Sequence, residues 1–256
     1  MIRVDRGRLS LPAGFAQKAM SALRKARRLR RRRLLESGDF DREVYGHREV
    51  KKALWRMQHK KCCWCEQRLG CRSEDVDHFR PKTKARRAVK RYDEGYWWLA
   101  YKHDNLFFSC AGCNTLKGSW FPLQARARPL QAEEHPSTRH EAALLLDPAK
   151  DDPAQHLVFI KDDGAWRLTA LNRSRKGRTT IQRVQLDRDD LDELRDDWVA
   201  DELRPVRRRF EQARRQQDLD AARAEALRLC TPERSFSLLA RCYFVKHRVL
   251  RQADLP

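Results

Sequence analysis

The chain has 256 residues, with 56 Lys and Arg against 36 Asp and Glu and a formal net charge of +20. That length suits one large domain, or two smaller pieces around a central module, and the positive excess makes polyanions the natural partners, although membrane surfaces and acidic proteins would be attracted too. No apolar run approaches the roughly 18 to 20 residues that span a bilayer, and the opening MIRVDRGRLSLPAGF lacks the apolar core of a secretory signal, so a cytoplasmic protein without a membrane segment is expected.

Phe15, Ala19, Ala22, Leu23, Ala26, Leu29 and Leu34 recur at helical spacing and predict a helix over about 15–37, made strongly basic by Arg24, Lys25, Arg27, Arg28 and the run 30–33. Such a run reads equally as a solvated charged face or as a phosphate-contacting arm. A second helix is expected over about 46–59, with Val50, Leu54 and Met57 on one face. Residues 124–155, with Pro129, Pro136, Pro148 and Pro153 and no sustained period, read as a connection. The β-prone stretches 156–160 and 165–170 flank an Asp-Asp-Gly turn and predict a hairpin. Helical patterns then cover about 176–215, with a break near Pro205, then 218–229 and 232–250; Ile181, Val184, Leu191, Leu194, Trp198 and Phe210 are candidate core. The expected organisation is a basic helical region over 1–60, a module over 61–123, a connector with a hairpin over 124–175 and a helical subdomain over 176–256.

Six of the eight cysteines lie between positions 62 and 113, and four form two Cys-x-x-Cys pairs, Cys62 with Cys65 and Cys110 with Cys113. In a reducing compartment this grouping reads as metal ligation before disulfides. Two such pairs complete a tetrahedral Zn2+ site, in which the ion neutralises thiolates that are costly to bury singly and closes the long excursion between them. Cys63 rivals Cys62 as first ligand. Cys71 reads as a small apolar packing residue, and Cys230 and Cys242 as ordinary buried cysteines.

Inside the excursion stand Asp77-His78-Phe79-Arg80-Pro81-Lys82, then Asp104-Asn105-Leu106, then Asn114 and Lys117 after the second cysteine pair. Taken singly, an Asp-His pair is a surface pair and an Asn is a turn or a cap. In this order between two cysteine pairs they resemble the HNH nucleases, in which an acid-His pair ends one strand, an Asn holds the loop and a further ligand comes from the short helix after the hairpin. That last position is usually His and is Asn114 here, so the chain resembles the H-N-N variant. More closely, C-x-x-C-E, D-H-F-R-P-K, Y-W-W-L-A-Y, D-N-L and S-C-x-x-C-N-x-x-K-G are similar to the HNH nucleases found with retrons and in the Septu anti-phage system, the PtuB-like family. The likeness is dense over 62–123 and looser elsewhere, where it rests on the basic N-terminal segment and on Leu-Leu-Asp-Pro at 145–148.

The resemblance implies an α+β fold, with a central zinc-stapled ββα-metal (HNH) module inside a mainly α-helical protein. It also assigns roles that chemistry can rationalise. In-line attack of water on a phosphodiester needs a base that is neutral near pH 7, and His78 is the candidate. The charge that develops on phosphate and leaving group calls for a hard cation, and Asp77 with the amide oxygen of Asn114 would hold Mg2+ or Mn2+. Asn105 would orient the loop that bears His78, and Lys117 would steady the scissile phosphate. Arg80, Lys82, Lys84, Arg86 and Arg87 would line the path of a nucleic acid, DNA being the expected substrate, against the plainer reading of a solvated face. Tyr96, Trp97, Trp98 and Tyr101 read as core rather than as stacking platforms. The family further implies phage defence and a complex with an ABC- or SMC-like ATPase, for which the helical tail is the expected docking surface. The rival reading is a zinc-stabilised nucleic-acid-binding or partner-docking module without catalysis.

Overall fold

A computed structural model describes residues 1, 3–72, 74–134 and 141–256. His135, Pro136 and His140 lie outside these.

Helix α1 (Phe15–Arg30) buries Phe15, Ala19 and Ala26, and it stops short of the expected end near Ser37. Two causes are visible. Arg33 turns back to a bidentate pair with Asp39, at 2.6 and 2.8 Å. Leu34, counted as part of the apolar stripe, is 63% exposed, while its neighbour Leu35 is the one that packs inward. Helix α2 (Arg42–Tyr45) and helix α3 (Arg48–Met57) follow, and α3 buries Val50, Ala53, Leu54 and Met57.

The centre of the chain holds strand β1 (Asp75–His78), the hairpin of β2 (Lys84–Ala88) and β3 (Arg91–Glu94), then β4 (Leu106–Ser109) and helix α4 (Ala111–Lys117). β1 pairs antiparallel with β4, Asp75 opposite Ser109 and His78 opposite Leu106. The outer edge of β4 is closed by a side chain: Gln58 accepts from Phe108 N at 2.8 Å and donates to Phe108 O at 2.7 Å. This satisfies a strand edge that would otherwise leave backbone groups buried and unpaired. Gly95 sits against the backbone of Lys82 and Thr83 so closely that a Cβ would lie 2.4 Å from Thr83 C, so only glycine lets the chain return from β3 to the aromatic run. Tyr96, Trp97, Trp98 and Tyr101 are buried, as core.

The predicted second hairpin forms as β5 (Leu157–Asp162) and β6 (Ala165–Ala170), in register around the turn. The helical third differs from expectation in where it breaks. Arg175–Val184 ends at Gln185 in the left-handed region, with φ 50°, and Asp189–Trp198 starts a new helix. At Pro205 the helix continues, because Val199–Leu203 widens into a π turn in which Arg204 N–H reaches back to Val199 O, and Pro205 then falls in the first turn of Arg204–Gln212, where no N–H is needed. Gln216–Leu229 and Ser237–Lys246 complete the bundle. Ile181, Val184 and Leu191 are buried as expected, Trp198 and Phe210 half-buried, and Leu194 is 41% exposed. No helix among the described residues is long and apolar enough to cross a membrane.

Candidate active site and four-cysteine centre

The sulfur atoms of Cys62, Cys65, Cys110 and Cys113 all lie within 4.8 Å of one another, and all four residues are buried. The Cys65 and Cys110 sulfurs are 3.9 Å apart. A tetrahedral zinc with sulfur at about 2.3 Å sets its ligands roughly 3.8 Å apart, so the donors fit such an ion. Backbone N–H groups already point at the sulfurs, Trp64 N at Cys62 (3.4 Å) and Cys113 N at Cys110 (3.3 Å), and the Arg188 guanidinium lies 3.7 Å from Cys113. The group that could hold a metal contains Cys62, while Cys63 is buried beside it and its N–H bonds Phe108 O in β4 at 3.2 Å. The sequence left that choice open; the geometry favours Cys62. Cys230 is buried and Cys71 and Cys242 are half-buried.

Cys110 caps the N-terminus of α4, so the cysteine cluster fixes where that helix starts. Alternation along β1 puts Asp75 and Asp77 on one face, and α4 lies over that face. Asn114 Nδ2 donates to Asp75 Oδ2 at 3.0 Å, and one turn later Lys117 Nζ donates to Asp77 Oδ1 at 2.8 Å and to the His78 carbonyl oxygen at 2.7 Å. Trp64 Nε1 donates to the other oxygen of Asp77 at 3.0 Å. Asp77 is thus buried and oriented by two donors, each of its oxygens keeping lone-pair capacity.

His78 is buried, its ring edge-on to Tyr45 with centroids 4.7 Å apart. Its Nε2 lies 2.9 Å from Ala100 O. A carbonyl only accepts, so Nε2 carries the proton and Nδ1 is left as the acceptor. Burial, with the positive charge of Lys82 nearby, pushes the imidazole down to about 3, which keeps it neutral at physiological pH.

Asn105 holds the loop from both sides, accepting from Arg80 N at 2.7 Å and donating to Arg80 O at 2.9 Å and Leu99 O at 3.2 Å. Behind it sits a residue the sequence did not single out. Arg6 donates to the carbonyls of His103, Asp104 and Leu106, at 2.9 to 3.0 Å, while stacking 4.0 Å from the Phe107 centroid. Asp75 was missed as well, because an acid two positions before the Asp-His pair carries no motif; only the placement of α4 brings it to Asn114.

Asp75, Asp77, His78 and Asn114 line one cleft of about 610 Å³, together with Arg42, Tyr45, Lys82 and Gly118. Lys82 extends over the rings of Tyr45 and Phe40, 5.1 and 5.8 Å from their centroids, and it forms no ion pair with a described carboxylate. Lys84 is exposed, and Arg86 stacks 4.0 Å from the Trp120 centroid. Two of the basic residues expected to meet nucleic acid are instead internal. Arg80 is buried in a pair with Glu141 at 2.6 Å, and the Arg87 side chain, 5% exposed, bonds Asp93, Phe121 O and Tyr96. Lys117 likewise is fully buried under Asp77 and does not line the cleft, so its place is behind the carboxylate, not against a phosphate.

No protein-family model and no solved structure matches the chain. Over 172 residues, 65% of this chain and 57% of the relative, it is 36% identical to Septu protein PtuB of Bacillus mycoides (strain KBAB4). It is 28% identical over 153 residues to Septu protein PtuB of Bacillus thuringiensis, covering 59% of this chain and 45% of that one. A third match, 25% identical over 148 residues, is to Septu protein PtuA of Bacillus mycoides (strain KBAB4), covering 57% of this chain and 20% of that protein. The chain therefore spans about half the length of the PtuB relatives it matches. Over that shared segment the chain is homologous to Septu protein PtuB.

Proposed function

We propose that the chain is an HNH-type endonuclease that hydrolyses nucleic-acid phosphodiesters, DNA being the expected substrate, as the nuclease of an anti-phage defence system. The observation that carries this reading is the His78 ring in the same cleft as Asp77 and Asn114, its Nε2 held 2.9 Å from Ala100 O so that Nδ1 is left as the acceptor. In this reading Nδ1 of His78 accepts the proton of the attacking water. Asp77 and the Asn114 amide oxygen would hold a Mg2+ or Mn2+ ion, which when bound supplies charge neutralisation to the phosphate and the leaving oxygen. The donor set is compatible: both are oxygen ligands, and the bond from Asn114 Nδ2 to Asp75 leaves the amide oxygen turned away from Asp75. Lys82 is the cation placed to meet the phosphate, and Asn105 and Arg6 keep the loop of His78 in position. The four cysteines would hold a structural zinc.

Homology to proteins named as Septu components supports the defence role and assembly with a partner protein, which the resemblance of the motifs implies to be an ATPase of the ABC or SMC-like type. The test is cleavage of plasmid, single-stranded DNA and tRNA in Mg2+ and in Mn2+, with and without the co-encoded partner. Divalent-dependent cleavage of at least one substrate supports the reading; binding without cleavage under every condition favours the non-catalytic module.

A further inference from the structure

Lys82 and Thr83 have two faces. On one side they line the cleft with His78, and on the other they line a smaller hollow of about 190 Å³ between the end of α1 and the β2–β3 hairpin. Trp97 lines the hollow as a buried residue, and Leu34 and Tyr92 flank it with 63% and 51% of their surfaces exposed. Exposed large apolar side chains are not costly one at a time, but two of them facing one hollow beside a reactive cleft ask for an occupant.

The charges around the hollow narrow what that occupant is. Its acids are already neutralised, Glu94 by Arg30 and Asp93 by Arg87. Lys82 and Lys84 have no described carboxylate partner, and Arg86 lies 5.6 Å from the Tyr92 centroid. The hollow thus has apolar and aromatic walls and a cationic rim, and it adjoins the cleft across the two residues they share. A nucleic-acid strand presents the complementary pattern, a flat apolar base on an anionic backbone, and such strands are gripped by aromatic platforms in basic grooves. The hollow has room for one base and not for a base pair.

We infer that this hollow is a nucleobase subsite: it takes one unpaired base of the strand whose phosphate lies in the His78 cleft, stacked on Tyr92 against Leu34, with Lys82 and Lys84 on the intervening backbone. The inference rests on the nuclease reading above and assigns its substrate a single-stranded or locally unpaired stretch at the site of cutting.

The full chain is assayed, with its partner if cleavage needs it, on a fluorescent single-stranded oligonucleotide and on bis(4-nitrophenyl) phosphate, a diester without bases. Tyr92→Ala should raise KM for the oligonucleotide about ten-fold, the scale of one lost base stack. Hydrolysis of the small diester should be unchanged, and Tyr92→Phe should keep the wild-type KM. An unchanged oligonucleotide KM, or an equal loss on both substrates, overturns the subsite. Binding of the same oligonucleotide in Ca2+, read by anisotropy, separates the two levels. If wild type hydrolyses nothing but Tyr92→Ala weakens binding to the normal strand and not to a fully abasic one, the nuclease reading fails and the subsite stands. If wild type cleaves but binding ignores Tyr92, the subsite fails and the nuclease stands.

Discussion

Lys117 Nζ lies 2.8 Å from Asp77 Oδ1, and both side chains are buried. A buried pair of this kind contributes little net stability when intact, yet removing one partner strands the other charge in the interior. Lys117→Met should therefore lower the unfolding free energy by about 3–5 kcal/mol. Lys117→Met with Asp77→Asn should regain part of that loss without regaining cleavage. Denaturant unfolding of the single and double variants checks this, and a Lys117→Met protein as stable as wild type would place the lysine elsewhere.

The four-cysteine centre predicts one zinc per chain by elemental analysis, retained in Cys63→Ser and lost in Cys62→Ser. Because this cluster joins the Cys62–Cys65 segment to the start of α4, its disruption should unfold the module; structural zinc sites supply about 10–16 kcal/mol in small domains, against a typical net stability of about 5–15 kcal/mol. Circular dichroism before and after chelation reads the effect. Zinc bound with equal stoichiometry by Cys62→Ser would reassign the first ligand.

The basic residues divide by burial into two classes with opposite expected phenotypes. Lys82→Ala and Lys84→Ala should each weaken nucleic-acid binding and reduce the slope of log affinity against log salt by about 1, as expected when one phosphate contact is lost. Arg80→Ala should leave that slope unchanged and cost about 3–5 kcal/mol of stability, because Glu141 loses its buried partner. Salt-titrated binding and thermal unfolding of the same three proteins distinguish the classes.

His78 gives the stability a pH dependence of definite sign. Its folded-state value is pushed down to about 3 from the usual 6.5, so between those values the unfolded chain binds a proton that the native state does not. Stability from this group is present above pH 6.5 and is lost as pH falls through 6.5 toward 3. Between pH 7.5 and 5.5 the loss amounts to about 1.4 kcal/mol. His78→Asn should lack that component, so its unfolding midpoint should fall less over this interval in divalent-free buffer with zinc retained. Parallel loss in both proteins would show that the imidazole is not buried as described.

What the sequence made legible was chemistry held in short spacing. The two Cys-x-x-Cys pairs stand out because few other uses need cysteines at those intervals, the Asp-His pair and the Asn after the second pair stand out only together and in that order, and the hairpin at 157–170 follows from β-prone flanks around Gly164. What it hid was three-dimensional. Nothing local separates Arg87, turned inward onto Tyr96 and Asp93, from Lys84 three residues before it; the pairing of β2 with β3 does, with a register shift between Arg86 and Ala88, and it is known only once the strand is placed. Arg6 reaches the Asn105 turn across almost a hundred residues, and Asp75 meets Asn114 only because α4, which starts at the cysteine cluster, lies over β1. The end of α1 was overextended because Leu34 fits the helical period, although the Arg33–Asp39 pair closes the chain before it.

The most direct test of the account is the single-turnover cleavage rate of His78→Ala beside wild type, both shown by circular dichroism and zinc content to be folded, on whichever substrate the wild type cuts. Loss of the general base should lower the rate by about 10²–10⁴-fold while substrate affinity stays within a few-fold of wild type. A folded, zinc-replete His78→Ala protein that cleaves at the wild-type rate would contradict the assignment of His78 as the base.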